Sequence, residues 1–237
     1  MGRKAAGSAG IRERYEQLRE RVERAALRSG RDPAEVGVVA AVKGVPVDRI
    51  AEALEGGVTI LGENYVQEAQ RVREQVLQPV QWHMIGHLQS KKARQAVRLF
   101  DVIETVDRMK IVEALQRCAE AEGKRLDVLV QVDLSGESTK SGARPDQTLP
   151  LIEALEACEN LRCAGLMTMP PFFDDPEGAR PYFAELRGLR DRLRARLSSG
   201  AKLRELSMGM SADFEVAVEE GATLVRIGRA LFGARKA

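Results

Sequence analysis

Lys43 has the most direct route to covalent chemistry in this sequence, because it ends the wholly apolar run Val38-Val39-Ala40-Ala41-Val42 and precedes a Gly-Val-Pro turn. An ammonium at the rim of an apolar cup loses hydration. That loss lowers its pKa and frees the amine to attack a carbonyl as a Schiff-base nucleophile. The competing reading is a strand-end lysine that passes into water. Far along the chain, Gly209-Met210-Ser211 offers a hydroxyl at a helix start. Gly228-Arg229 offers a glycine that lets an anion approach the backbone ahead of a short final helix. Helix starts of this kind hold phosphate, although Ser211 as N-cap of the helix running through Gly221, plus a glycine turn, explains the same residues structurally.

Arg226 lies inside the apolar strand pattern, between Val225 and Ile227. A buried guanidinium needs an acceptor. Glu63 or Glu205 would supply it as a structural ion pair; the nitrogen of an aromatic heterocycle would supply it functionally. A Schiff-base lysine, a phosphate cup and such an arginine on one surface together suit pyridoxal 5′-phosphate (PLP).

Bringing these residues together requires a repeating scaffold, and the hydrophobic pattern predicts one. Ile11, Tyr15, Leu18, Val22 and Ala25 recur at helical spacing and predict an amphipathic first helix ending near Ser29-Gly30. Strand-like runs follow at 38–42, 59–64, 81–86, 101–106, 126–133, 163–169, 205–209 and 224–228, each succeeded by a helical segment. Runs apolar on both faces are the pattern of parallel strands covered by helices. Eight evenly spaced units behind an extra N-terminal helix predict an α/β fold, a single (β/α)8 TIM barrel over residues 11–237, after a loose tail at 1–10. A doubly wound open sheet is the competing topology; the absence of a GxGxxG turn argues against it. In a barrel, residues at the C-terminal ends of strands form the site. That rule selects Lys43, Asn64, His87, the loop after strand five, Met169-Pro170, Ser211, Arg226 and Gly228.

Composition removes several other function classes. With 37 Lys+Arg against 35 Asp+Glu, the formal charge of +2 gives no field for nucleic acid or membranes, and only 4% of residues are aromatic. No apolar stretch approaches the length of a membrane span. Cys118, Cys158 and Cys163 form no CxxC pair, and with no signal peptide in view they point to a reducing cytoplasm. His83 and His87 have i, i+4 spacing, but they fall in a strand-like run, which argues against a metal.

The motifs are also recognisable as a set. Ala41-Val42-Lys43, Gly62-Glu63-Asn64-Tyr65-Val66-Gln67-Glu68 and Trp82-His83-Met84-Ile85-Gly86-His87-Leu88-Gln89-Ser90 come first. Ser138-Thr139-Lys140-Ser141-Gly142, Gly165-Leu166-Met167, Leu206-Ser207-Met208-Gly209-Met210-Ser211 and Val225-Arg226-Ile227-Gly228-Arg229-Ala230-Leu231-Phe232-Gly233 complete the series. With them the chain resembles the pyridoxal-phosphate homeostasis protein family from about residue 11 to 235. The resemblance implies a barrel like the N-terminal domain of alanine racemase, with PLP covalently held on Lys43 as an internal aldimine. By the same resemblance Ser211, Gly228 and Arg229 hold the phosphate, Arg226 faces the pyridine nitrogen, Asn64 lies beside the ring and His87 lies nearer the rim. Family members often carry Ser before and Thr after the lysine, where this chain has Val42 and Gly44.

The fold supports two function classes. An amino-acid racemase needs a second acid/base opposite the lysine, in alanine racemases a tyrosine aided by a second domain. Here the sequence stops shortly after strand eight, and Tyr65, at a helix start, is expected to turn away from the mouth. An arginine at the pyridine nitrogen also makes a poorer electron sink. The expectation is therefore a cytoplasmic, monomeric PLP carrier that buffers the cofactor and delivers it to PLP-dependent apo-enzymes, without strong catalysis. A PLP-dependent racemase and a class I aldolase-like Schiff-base enzyme are the alternatives. Lys140 is read as an exposed loop lysine, with a role toward phosphate or cofactor in transit as the other possibility.

Overall fold

The computed structural model describes residues 10–136, 141–197 and 203–234. Its strands are β1 (Gly37–Ala41), β2 (Ile60–Glu63), β3 (Gln81–Met84), β4 (Val102–Val106), β5 (Leu126–Gln131), β6 (Leu161–Met167), β7 (Glu205–Met210) and β8 (Leu224–Ile227). They pair in sequence order, all parallel, and β8 closes onto β1 with Arg226 opposite Val39. The helices are α1 (Ile11–Arg28), α2 (Val47–Glu55), α3 (Val66–Arg73), α4 (Ala93–Leu99), α5 (Met109–Ala121), α6 (Pro145–Glu156), α7 (Arg180–Arg196), α8 (Phe214–Glu219) and α9 (Arg229–Phe232). One follows each strand, and α1 precedes them all. The expected eight units and the extra first helix are all present.

Strand alternation sorts the side chains into two layers. Val38, Ala40 and Val42 belong to the large apolar layer between strands and helices, while Val39, Ile85, Leu129, Met167 and Leu224 pack inside the barrel. This places the face of β1 that leads to Lys43 inside, as the alternation requires.

The short α8 and α9 cover their side of the barrel poorly, and α1 packs across them and α2. Its first free N–H, at Ile11, is capped by Glu52 Oε1 at 2.9 Å. Arg31 then donates to the carbonyls of Val218 and Ala222, which pins the end of α1 to the α8–β8 turn. Among the described residues no helix is long and apolar enough to cross a membrane, and no cluster of three or more His, Cys, Asp or Glu could hold a metal. The tail placed at 1–10 lies, apart from Gly10, outside the described residues, as does Lys140.

Candidate functional site

The ends of β1, β2, β7 and β8 bring the selected residues to one mouth of the barrel. Ala41 pairs with Gly62, and the ladder continues past it, since Val42 N–H donates to the Gly62 carbonyl at 2.9 Å. Lys43 and Asn64 thus leave adjacent strands at the same height. Ala41 lies against Gly228 on the other side: a Cβ at Gly228 would stand 3.6 Å from the Ala41 carbonyl, an ordinary contact. Packing does not require glycine there, so the bare backbone is available for close approach by a ligand. Arg229, the first residue of α9, is exposed.

The Asn64-Tyr65 turn is held from both sides. Gly86 packs so closely that a Cβ would sit 2.3 Å from the Asn64 carbonyl oxygen. Glu63 Oε2 accepts the Asn64 N–H at 2.8 Å. Tyr65 is not turned away, contrary to the expectation from its helix-start position. Its hydroxyl is 3.2 Å from Lys43 Nζ, and the ammonium also lies 4.8 Å from the ring centroid. Tyr65 occupies the N-cap position of α3 in an extended conformation (φ −131°, ψ 129°), before the helix can rotate its side chain away. His87 is exposed at the rim, its Nδ1 3.6 Å from Asp107 Oδ2.

Ser211 also differs from its expected role. The N-cap position of α8 belongs to Asp213, whose Oδ1 accepts the Met210 N–H at 2.6 Å. Ser211 Oγ instead accepts the Ala230 N–H at 3.1 Å, capping α9 across the gap between two loops. Gly209 permits this fold-back, with φ +90° and no room for a Cβ, which would stand 2.5 Å from the Ala217 Cβ. Ser211, Gly228 and the start of α9 are therefore one cluster.

Arg226 points inward and is 4% exposed. Its acid is Glu104 on β4 rather than Glu63 or Glu205: Nη1 lies 3.9 Å from Oε2 and donates to Ser207 Oγ at 2.5 Å, and Ser207 Oγ donates to Glu104 Oε2 at 2.5 Å. Nη2 donates to the Thr168 carbonyl at 2.8 Å. Glu104 Oε1 in turn bonds His83 Nδ1 at 2.6 Å. Burial by itself would raise the Glu104 pKa, but the His83 bond, the Arg226 charge and the Ser207 hydroxyl more than offset it and hold the carboxyl below its ordinary range. Sequence reasoning missed His83, Glu104 and Ser207. One signal was present: Glu104, like Arg226, is a lone charge inside an apolar strand run, and two opposite charges buried in one barrel invite pairing.

Glu63 faces the helix layer instead. It is fully buried, Oε1 has no partner, and desolvation raises its pKa from 4.5 to about 7 despite the backbone N–H groups it accepts.

Comparison with known proteins places this geometry. Residues 14–236 match the family described as alanine racemase, N-terminal domain. The pyridoxal phosphate homeostasis protein of Aquifex aeolicus is 40% identical over 225 residues, spanning 94% of this chain and 98% of that protein. The chain belongs to the pyridoxal phosphate homeostasis protein family. The human pyridoxal phosphate homeostasis protein is 42% identical, with 92% of this chain and 84% of that one covered. Within the same family's fold, the structure of PipY from Synechococcus elongatus PCC7942 with PLP bound has a TM-score of 0.84 at 34% identity, covering 94% of this chain and 100% of PipY.

Proposed function

We propose that this chain binds PLP at the C-terminal mouth of its barrel and serves intracellular PLP homeostasis, with Lys43 as the covalent attachment point. Bound PLP supplies an aldehyde that condenses reversibly with an amine, and a conjugated ring that accepts electron density. The residues at the mouth suit its three parts. Lys43 Nζ offers the amine. Ser211 Oγ, the bare backbone at Gly228 and the start of α9 with Arg229 offer a cradle for the phosphate. Arg226 carries the fit furthest. Its terminal nitrogens each make one hydrogen bond, so a buried guanidinium keeps donors with no protein acceptor, and a pyridine nitrogen can accept from one of them. Asn64 would lie beside the ring, and His87 nearer the rim.

A carrier suits this geometry better than a racemase. Racemisation needs two bases on opposite faces of a substrate carbon, whereas Tyr65 and Lys43 touch each other at 3.2 Å. An arginine at the pyridine nitrogen keeps that nitrogen unprotonated, which weakens the ring as an electron sink. Tyr65 at the lysine is nevertheless the observation that favours the second reading, an amino-acid racemase. In the carrier reading residues 11–237 act as one cofactor-binding unit in the cytoplasm and hand PLP to apo-enzymes. The most exposed large apolar residues, Leu27 on α1, Leu77 in the loop after α3 and Phe172 in the loop after β6, are far apart in the sequence, and a monomer is the reading we adopt.

The test is the visible spectrum of the PLP-loaded protein before and after borohydride. The carrier reading expects a yellow band that reduction bleaches, a mass adduct on the peptide containing Lys43, and no adduct in Lys43→Ala. An adduct on another lysine refutes the attachment. Amino-acid turnover at ordinary enzyme rates, abolished by both Lys43→Ala and Tyr65→Phe, decides for the racemase.

A further inference from the structure

Among the described residues, Lys43 Nζ has one hydrogen-bond partner, Tyr65 Oη at 3.2 Å, and makes no ion pair with a carboxylate. A carboxylate at that distance would favour the charged ammonium and oppose attack on a carbonyl. A hydroxyl does not. Its oxygen accepts a proton, and it has a proton of its own to give.

The turn, rather than packing of the ring, sets this contact. Tyr65 is extended at the N-cap of α3, and its carbonyl accepts the Ala69 N–H at 3.0 Å, which ties it to the first helical turn. Asn64 before it is held by Gly86 and Glu63, and Val66 after it is buried. Tyr65 itself is 48% exposed, so it borders solvent as well as the amine. The other polar groups of this mouth are engaged elsewhere: Ser211 Oγ with the Ala230 N–H, Glu63 Oε2 with the Asn64 N–H, and His87 Nδ1 at 3.6 Å from Asp107.

We propose that Tyr65 is a catalytic residue of cofactor exchange, whose hydroxyl relays the protons that Lys43 loses on joining the PLP aldehyde and regains on leaving it. The inference rests on Lys43 as the attachment point. On joining, the amine lone pair forms a bond to the aldehyde carbon, the nitrogen gives up two protons, and the carbonyl oxygen takes up two and departs as water. Tyr65 Oη accepts a proton from the nitrogen while its own O–H proton passes to that oxygen, so the tyrosine ends unchanged. No oxidant, reductant or further reactant is needed. Release runs the same path backwards, with water as the incoming reactant. A relay lowers the barrier equally in both directions, so it sets how fast a carrier exchanges PLP without changing how tightly it holds it.

The test mixes PLP with the unloaded protein in stopped flow, follows the visible band, and measures the dissociation constant by equilibrium titration. Tyr65→Phe is expected to slow attachment at least about tenfold, short of the roughly 10²–10⁴ typical of positioned proton transfer because bulk water can stand in. Its dissociation constant is expected to be unchanged, and borohydride still marks Lys43. Added imidazole, which moves protons but forms no Schiff base, restores the slowed rate in proportion to its concentration and leaves the wild type unaffected. Tyr182→Phe, which removes a hydroxyl from α7, behaves as wild type. The proposal is overturned by a wild-type rate in Tyr65→Phe, by a weakened dissociation constant that accounts for the whole loss of rate, by no rescue with imidazole, or by equal slowing in Tyr182→Phe. An adduct missing from Lys43 in the wild-type protein is a separate failure, which removes the attachment reading and this one with it.

Discussion

The two mouths of the barrel are built by different rules. At the C-terminal mouth each candidate residue sits at a strand end or in the turn behind it: Lys43 after β1, Asn64 after β2, Ser211 after β7, Gly228 after β8. The loops there reach across to one another, as Ser211 does to Ala230. At the N-terminal mouth an open cleft is lined by residues near the starts of β3 to β8, including the runs 161–164 and 203–205, and by Leu155 and Glu156 of α6. Between them runs a buried polar chain, His83–Glu104–Ser207–Arg226, with His83 in the lining of the N-terminal cleft and Arg226 also bonded to the Thr168 carbonyl just past the end of β6. A site made of strand ends can change its chemistry by changing loops. The opposite cleft depends on how the strand starts and α6 pack.

The chain between the mouths is where this contrast breaks most easily. Replacing Glu104 with Leu removes the acceptor of His83 and Ser207 and the counter-charge of Arg226, leaving a buried guanidinium uncompensated. The expected cost is about 3–5 kcal/mol in urea unfolding. A change below about 1 kcal/mol would mean the chain does not tie the mouths together.

The next largest effect belongs to one side only. Glu63 titrates near 7 in the folded protein and near 4.5 when exposed, so the folded state holds its proton more tightly. Its contribution to stability is fully present below about pH 4.5 and is lost as pH rises through 7. The total is at most about 3 kcal/mol. Glu63→Gln, which keeps an oxygen for the Asn64 N–H, is expected to flatten the fall in Tm across that window. An unchanged slope would assign the pH dependence elsewhere.

The smallest effect sharpens the C-terminal mouth itself. Tyr65 is half exposed, and Tyr65→Phe is expected to change stability by less than about 0.5 kcal/mol. Borohydride should still fix PLP on Lys43 in that variant. Loss of loading would make the hydroxyl part of the binding machinery rather than a neighbour of the amine.

Particular residues show how much of this was legible. Val39 and Ala41 alternate with Val38, Ala40 and Val42, and that period grouped Lys43 with Val39 and Ala41; the closed barrel then showed that this face is the inner one. The same logic made Arg226 face inward on condition that Val225 and Ile227 face the helices, which they do. Tyr65 defeated it, because one N-cap residue in an extended conformation precedes the helix whose rotation was assumed. Ser211 defeated it because a hydroxyl caps whichever helix start is nearest in space, and that was α9. Glu104 was invisible as the partner of Arg226 because an ion pair between β4 and β8 exists only once the sheet has closed.

By itself the sequence determined the eight-unit order, which residues of β1 and β8 share a face, and the strand-end residues able to do chemistry, since all of these follow from local periodicity. Only the tertiary structure decided which charges meet, which hydroxyl caps which helix and where a cleft stays open. Those depend on distances between strands far apart in the chain, and closure of the barrel sets them.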